Sequence, residues 1–255
     1  MPVHNVQQES LWRPLDTLQQ NMANLYHSQD EKDACFKLDD GHLVWAHRCL
    51  LSVNSPTLHD MVATSDGQAE ICNADPELFA VMIRSMYFNN LPSAFDVKKD
   101  GLALLKLANR FDCRQLKLRM EAELIDAGII TIKNAAEILF LADSHCCAML
   151  KEASMQFVAA NYYKVSKTKA GKELKKTPAL LHEVLDNTSK KLFMPGGETF
   201  ADMQKKPVSE LRQIVAEMGL DADGTKEMLL QQLWASQDVE MSDSDDMSDS
   251  ESDDE

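Results

Sequence analysis

Strand-like alternation is confined to three short stretches, Ala34 to Leu38, His42 to Ala46 and Gln68 to Cys72, all in the first third of a 255-residue chain. The first two are separated by Asp39-Asp40-Gly41, whose Asp-Gly end suits a tight hairpin turn. From Asp100 onward the apolar residues recur at helical spacing only: Leu102, Leu105, Ala108 and Phe111, then Leu116, Met120 and Leu124. So small a sheet must be covered by helices to bury its faces, and the remainder must be helix packed on helix. The fold class expected is α+β, followed by an all-α extension.

Local signals place the helices. Leu11, Leu15, Leu18, Met22, Leu25 and Tyr26 lie on one face of a helix spanning residues 11 to 28. Two short helices follow at Cys49 to Val53 and Pro56 to Val62, with Ser52 and Ser55 near the cap positions. Asp75-Pro76-Glu77 is a strong helix start because proline suits the first helical position, and that helix should reach about Tyr87. Further helices are expected over Asn134 to Ala142, Cys146 to Ala160 and Pro178 to Leu185. Met194-Pro195-Gly196-Gly197 breaks the pattern as a linker, and a separate helical hairpin is expected from Met203 to Trp234.

Charge and composition restrict function. The net charge is −15, but ten acidic residues and no basic one lie between Asp238 and Glu255. That segment has no aromatic residue and only one branched one, Val239, so it is expected to be disordered. Ser242, Ser248, Ser250 and Ser252 each have an acidic residue three positions on, a pattern acidophilic kinases favour, while a solubilising tail is the simpler explanation of the composition. No stretch approaches the ~20 apolar residues of a membrane span, and the N-terminus has neither a basic start nor an apolar core for secretion. Six cysteines in such a chain read as reduced thiols, so the nucleus or the cytoplasm is expected. No P-loop, Gly-x-Gly-x-x-Gly, Gly-x-Ser-x-Gly or His-Glu-x-x-His occurs. His145-Cys146-Cys147 lacks a second ligand pair at metal spacing. An enzyme, a cofactor and a metal are therefore not expected.

The ordered matches Asp33-Ala-Cys-Phe-Lys-Leu, Trp45-Ala-His-Arg-Cys-Leu-Leu-Ser-Val-Asn-Ser-Pro-Thr-Leu, Asp75-Pro-Glu-Leu-Phe, Met86-Tyr87, Leu104-Leu-Lys-Leu-Ala-Asn-Arg-Phe and Leu116-Lys-Leu-Arg-Met-Glu-Ala-Glu-Leu strongly resemble the BTB/POZ domain. Asn134-Ala-Ala-Glu-Ile-Leu-Phe-Leu-Ala-Asp-Ser-His resembles the BACK-like helical extension of speckle-type MATH-BTB proteins, here with no MATH domain expected. The resemblance covers roughly residues 10 to 190. It implies a dimerisation helix over 1–30, a BTB/POZ domain over 31–126 and a BACK-like extension over 127–193, after which the residue pattern itself sets a linker over 194–202, a SAP-like hairpin over 203–236 and a tail over 237–255. It also implies homodimerisation through Leu11, Leu15, Leu18, Met22, Leu25, Asp33, Arg48 and Leu51, with Asp33 and Arg48 at the positions of a charged pocket. An ordinary strand-start role for Asp33 fits the sequence as well.

Many members of that family bind the N-terminal domain of cullin-3. By position the contacts here are Leu58, His59, Met61, Val62, Phe88 and Asn89. The chain departs from speckle-type relatives in the loop after Met61, which lacks their hydrophobic-x-Glu element. Losing an apolar anchor from the centre of an interface removes about 2 kcal/mol or more. The reading is a homodimeric adaptor recruiting an unknown substrate protein to a cullin-3 ubiquitin ligase.

Residues 207 to 233 are similar to the SAP motif: a helix, Gly219-Leu220, then Gly224-Thr225-Lys226 opening a second helix. The resemblance implies nucleic-acid contacts, to DNA or RNA phosphates, from Lys205, Lys206, Arg212, Gly224, Thr225 and Lys226. Against it stands the balance of four basic and five acidic residues from Met203 to Trp234, since such affinity depends on displaced counterions. A nuclear scaffold or chromatin regulator that dimerises and touches nucleic acid is thus the alternative. The six lysines between Lys164 and Lys176 form an import or phosphate-binding patch, or a solvated face.

Overall fold

The computed structural model describes residues 17–29, 31–189 and 200–242 and divides into two units after Phe95. In the first, β1 (Ala34–Leu38) and β2 (Leu43–Ala46) form the antiparallel hairpin, with Gly41 at a φ of 84° in its turn. β3 (Gln68–Ile71) runs parallel to β1, giving the sheet order β2-β1-β3 with Phe36 opposite Val44 on one side and Ala69 on the other. A parallel pair needs a crossover, and α2 (Arg48–Asn54) and α3 (Pro56–Ala63) supply it. Ser55 caps α3 by accepting from the Leu58 N–H at 3.2 Å, and Asp75 caps α4 (Pro76–Phe88) by accepting from the Leu78 N–H at 3.0 Å. Asn89 ends α4 in the left-handed conformation.

The helix α1 (Thr17–His27) packs on α4 through Tyr26, whose ring meets Tyr87 and Phe88 edge-on at 5.1 and 5.3 Å. Residues 11 to 16 of the expected first helix lie outside the described residues, with Leu11 and Leu15 among them. The core between sheet and helices contains Phe36, Leu38, Leu51, Leu58, Val62, Ile71, Phe79, Met82 and Ile83, all fully buried or nearly so.

The second unit is helical. The helices α5 (Val97–Arg110) and α6 (Arg114–Asp126) pack together, followed by the pair α7 (Ala135–Ser144) and α8 (Ala148–Ala160). Next come the short α9 (Tyr162–Val165) and α10 (Lys169–Leu174), then α11 (Pro178–Ser189), which lies on α8. One core joins Ala135, Leu139, Val158, Val165, Leu174, Leu180 and Val184. The helices α12 (Phe200–Lys205), α13 (Val208–Glu217) and α14 (Lys226–Ser242) complete the unit. The expected linker residues 194 to 197 and tail residues 243 to 255 lie outside the described residues.

The hairpin of α13 and α14 is not the separate module the sequence suggests. Val208, Leu211, Val215, Leu229, Leu230 and Leu233 share a core with Ala148 of α8. Two helices alone bury too little apolar surface for stability, and α8 supplies the missing wall.

Candidate protein-interaction surfaces

In the first unit, three expected dimer residues on α1 and two further apolar residues on α2 are at least partly exposed. Leu18 is 67% exposed, and Met22 and Leu25 are half-buried on the same helix. Val53 on α2 is 80% exposed and Leu50 half-buried. Leu51 is a correction: its side chain is fully buried in its own unit and cannot reach a partner. The expected charged pocket also takes a different form. The Asp33 carboxylate accepts from the Arg48 backbone N–H at 2.8 Å, completing the start of α2, a task the N-cap residue His47 does not perform. The Arg48 guanidinium donates to the carbonyls of Asp33 at 3.1 Å and Val62 at 3.3 Å. Asp33 and Arg48 are thus a brace between β1, α2 and the end of α3. Gly67 closes it: φ is 88°, and a Cβ there would lie 2.9 Å from the Arg48 guanidinium and 3.0 Å from the Asp33 carbonyl.

Of the residues placed on cullin-3 by position, Leu58 and Val62 are fully buried and are corrected to core residues. An eight-residue helix against a sheet turns only one stripe inward, and these two occupy it. His59 and Met61 of α3 are half-buried with one side open, as is Phe88, and Asn89 is exposed. The loop after α4 is held by Arg84, which the sequence reading missed. Its guanidinium lies 4.5 Å from the Phe88 ring centroid and donates to the Asn90 backbone and side-chain oxygens at 3.3 and 3.1 Å. Also missed were Leu43 and Trp45, 52% and 42% exposed on the outer face of the edge strand β2. All four residues of β2 are apolar, so the sequence carries no alternation that tells its outer face from its inner one.

Beneath this surface, the Tyr87 hydroxyl receives the His47 backbone N–H at 3.1 Å and lies 2.6 Å from His47 Nδ1. Whether the hydroxyl donates to Nδ1 or accepts from it is set by the His47 tautomer, and Nε2 is buried without a hydrogen-bond partner. Burial pushes the imidazole pKa down and the Tyr87 pKa up to about 12.

In the second unit, the expected phosphate-facing residues are already engaged. Arg212 is buried, and its Nη2 donates to Glu121 of α6 at 2.9 Å, so it is corrected from a surface contact to half of a buried ion pair. Glu121 also accepts from the Leu150 N–H at 3.1 Å. Burial pushes its carboxyl up while Arg212 and that N–H oppose the shift. Lys117 of α6 donates to both oxygens of Asp223 at 3.0 and 3.2 Å, and Arg114 pairs with Asp221 at 2.7 Å. The acidic turn thus faces the basic side of α6. Lys226 donates to the Lys206 carbonyl at 2.5 Å, and Lys206 pairs with Glu210 at 2.5 Å. Gly224 bridges to Cys147, whose thiol burial pushes up to about 12. Thr225 accepts from the Met228 N–H at 3.3 Å as the cap of α14, and Lys205 remains exposed.

A model of the BTB/POZ domain matches residues 22–128, and one of the BPM/SPOP-type BACK domain matches residues 134–185. TD and POZ domain-containing protein 5 of Mus musculus is 27% identical over 184 residues, 69% of this chain and 52% of that protein. TD and POZ domain-containing protein 4 of the same species is 28% identical over 157 residues, 60% and 41% of the two chains. The chain spans about half the length of these relatives, or less. Among solved structures, the BTB domain of zebrafish PATZ1 aligns at 14% identity over 46% of this chain and 97% of that one, with a TM-score of 0.37. The chain thus carries a BTB/POZ domain over residues 22–128 followed by a BPM/SPOP-type BACK domain over residues 134–185.

Proposed function

We propose that the chain is a homodimeric adaptor that brings a substrate protein to a cullin-3 RING ubiquitin ligase and performs no chemistry itself. The BTB and BACK domains support the coarser reading of a protein-interaction adaptor. The observation favouring the finer one is that His59, Met61, Phe88 and Asn89 all keep exposed surface, with the loop beyond α4 fixed by Arg84. A loop held in place before binding loses less conformational entropy when it docks. The opposite need, an apolar surface for a second copy, is met by Leu18, Met22, Leu25 and Val53. The nucleic-acid scaffold is the weaker reading because Arg212, Lys206 and Lys226 already have partners within the chain.

Titration calorimetry against a cullin-3 N-terminal fragment tests the proposal. Micromolar or tighter binding, weakened about tenfold by Phe88→Ala or Met61→Asp, supports it. No heat and no co-elution by the intact chain contradicts it.

A further inference from the structure

The lysines of α9, α10 and their flanks are built into a surface. Val165, Ala170 and Leu174 turn inward and are buried, while Lys164, Lys167, Lys169, Lys172, Lys175 and Lys176 are all exposed. The fold pins this short segment tightly. Gly171 is so close to the Val165 carbonyl that any Cβ would overlap it, and Thr168 accepts from the Gly171 N–H at 3.0 Å while donating to that same carbonyl at 2.8 Å. Glu173 is the lone acidic residue between Lys164 and Lys176, and it pairs with Lys176 at 2.8 Å. The face therefore carries a net charge of +5 in a chain whose total is −15.

We propose that this face is the docking site of the chain's own acidic C-terminus, residues 243–255. Charge complementarity and chain length select that occupant. The last described helix ends at Ser242, and the 13 residues beyond it hold eight carboxylate side chains and no basic one. Thirteen residues extend to about 44 Å, against a radius of gyration of about 15 Å for a unit of this many residues. Ser242 and the lysines belong to the same unit. Attachment in cis supplies the tail at an effective concentration in the millimolar range, ahead of any free polyanion. Nucleic acid fits the face less well, because the exposed aromatic beside it, Tyr163, already has the Lys167 ammonium 3.9 Å from its ring centroid. Phosphate on Ser248, Ser250 or Ser252 would add charge to the same contact.

Zero-length carbodiimide cross-linking of the full chain at low salt tests the assignment. Tail carboxylates should link mainly to Lys164, Lys167, Lys169, Lys172 and Lys175, and the links should fade at about 0.5 M salt. Links spread equally over the exposed Lys98, Lys106 and Lys133 overturn it. So do links found chiefly between heavy and light chains in an isotopically mixed sample, which assign the tail to a second copy. As a second measurement, converting the eight carboxylates to amides should raise affinity for a 20-base-pair DNA probe roughly tenfold. Adding Lys164→Gln, Lys167→Gln, Lys169→Gln and Lys172→Gln should abolish that gain. Equal DNA binding with and without the tail charge overturns the proposal.

Discussion

At the residue scale, the first unit depends on a few side chains whose neighbours leave no slack. Gly67→Ala forces a side chain onto a positive φ and into the Arg48 brace, and should cost about 1–3 kcal/mol in urea unfolding. Tyr87→Phe removes the partner of both the His47 N–H and Nδ1, with an expected cost of about 1–3 kcal/mol. His47 titrates below its ordinary 6.5 because burial disfavours its charge. As pH falls below 6.5, the unfolded chain takes up a proton that the folded ring refuses. Stability is therefore complete above that value and declines below it, by at most about 1.4 kcal/mol per pH unit. Amide exchange across residues 34–87 should quicken from pH 7.5 to 5.5 after correction for intrinsic rates. His47→Gln should flatten the trend, and an unchanged slope contradicts the assignment. The sequence could not pair His47 with Tyr87, 40 residues on, because that pairing exists only after α4 has docked.

At the element scale, local signals were enough wherever a cap or turn acts on its own neighbours. The ends of β1 match expectation, and α3 and α4 begin where Ser55-Pro56 and Asp75-Pro76 direct. Position alone misled at Leu51, Leu58 and Val62. A pattern match gives the helix, but the 100° turn per residue decides which side chain looks inward. The hairpin of α13 and α14 shows the other limit: its helices were legible, its docking on α6 and α8 was not, because Glu121 and Arg212 are 91 residues apart. Removing either partner strands a buried charge, so Arg212→Ala should cost about 3–5 kcal/mol. Lys117→Ala and Asp223→Ala together should cost less than the sum of the two, with a coupling of roughly 0.5–3 kcal/mol. Additive costs contradict the pairing. On α1 and α2, Leu18→Asp and Val53→Asp should shift the proposed dimer toward monomer in sedimentation while leaving monomer stability within about 0.5 kcal/mol.

At the scale of the whole molecule, the proposed function and the tail docking use three surfaces: an apolar one for a second copy, one with a fixed loop for a cullin, and a lysine face for the acidic tail. Two protomers on one particle present each binding site twice, which strengthens attachment to any paired target without a new contact. The most direct test of this account is light scattering of the intact chain alone and with an excess of cullin-3 N-terminal fragment. The intact chain should scatter at about 57 kDa alone, twice the 28.6 kDa protomer, and gain the mass of two cullin fragments in the complex. A monomer of 28.6 kDa, or a dimer whose mass does not change when the cullin fragment is added, contradicts it.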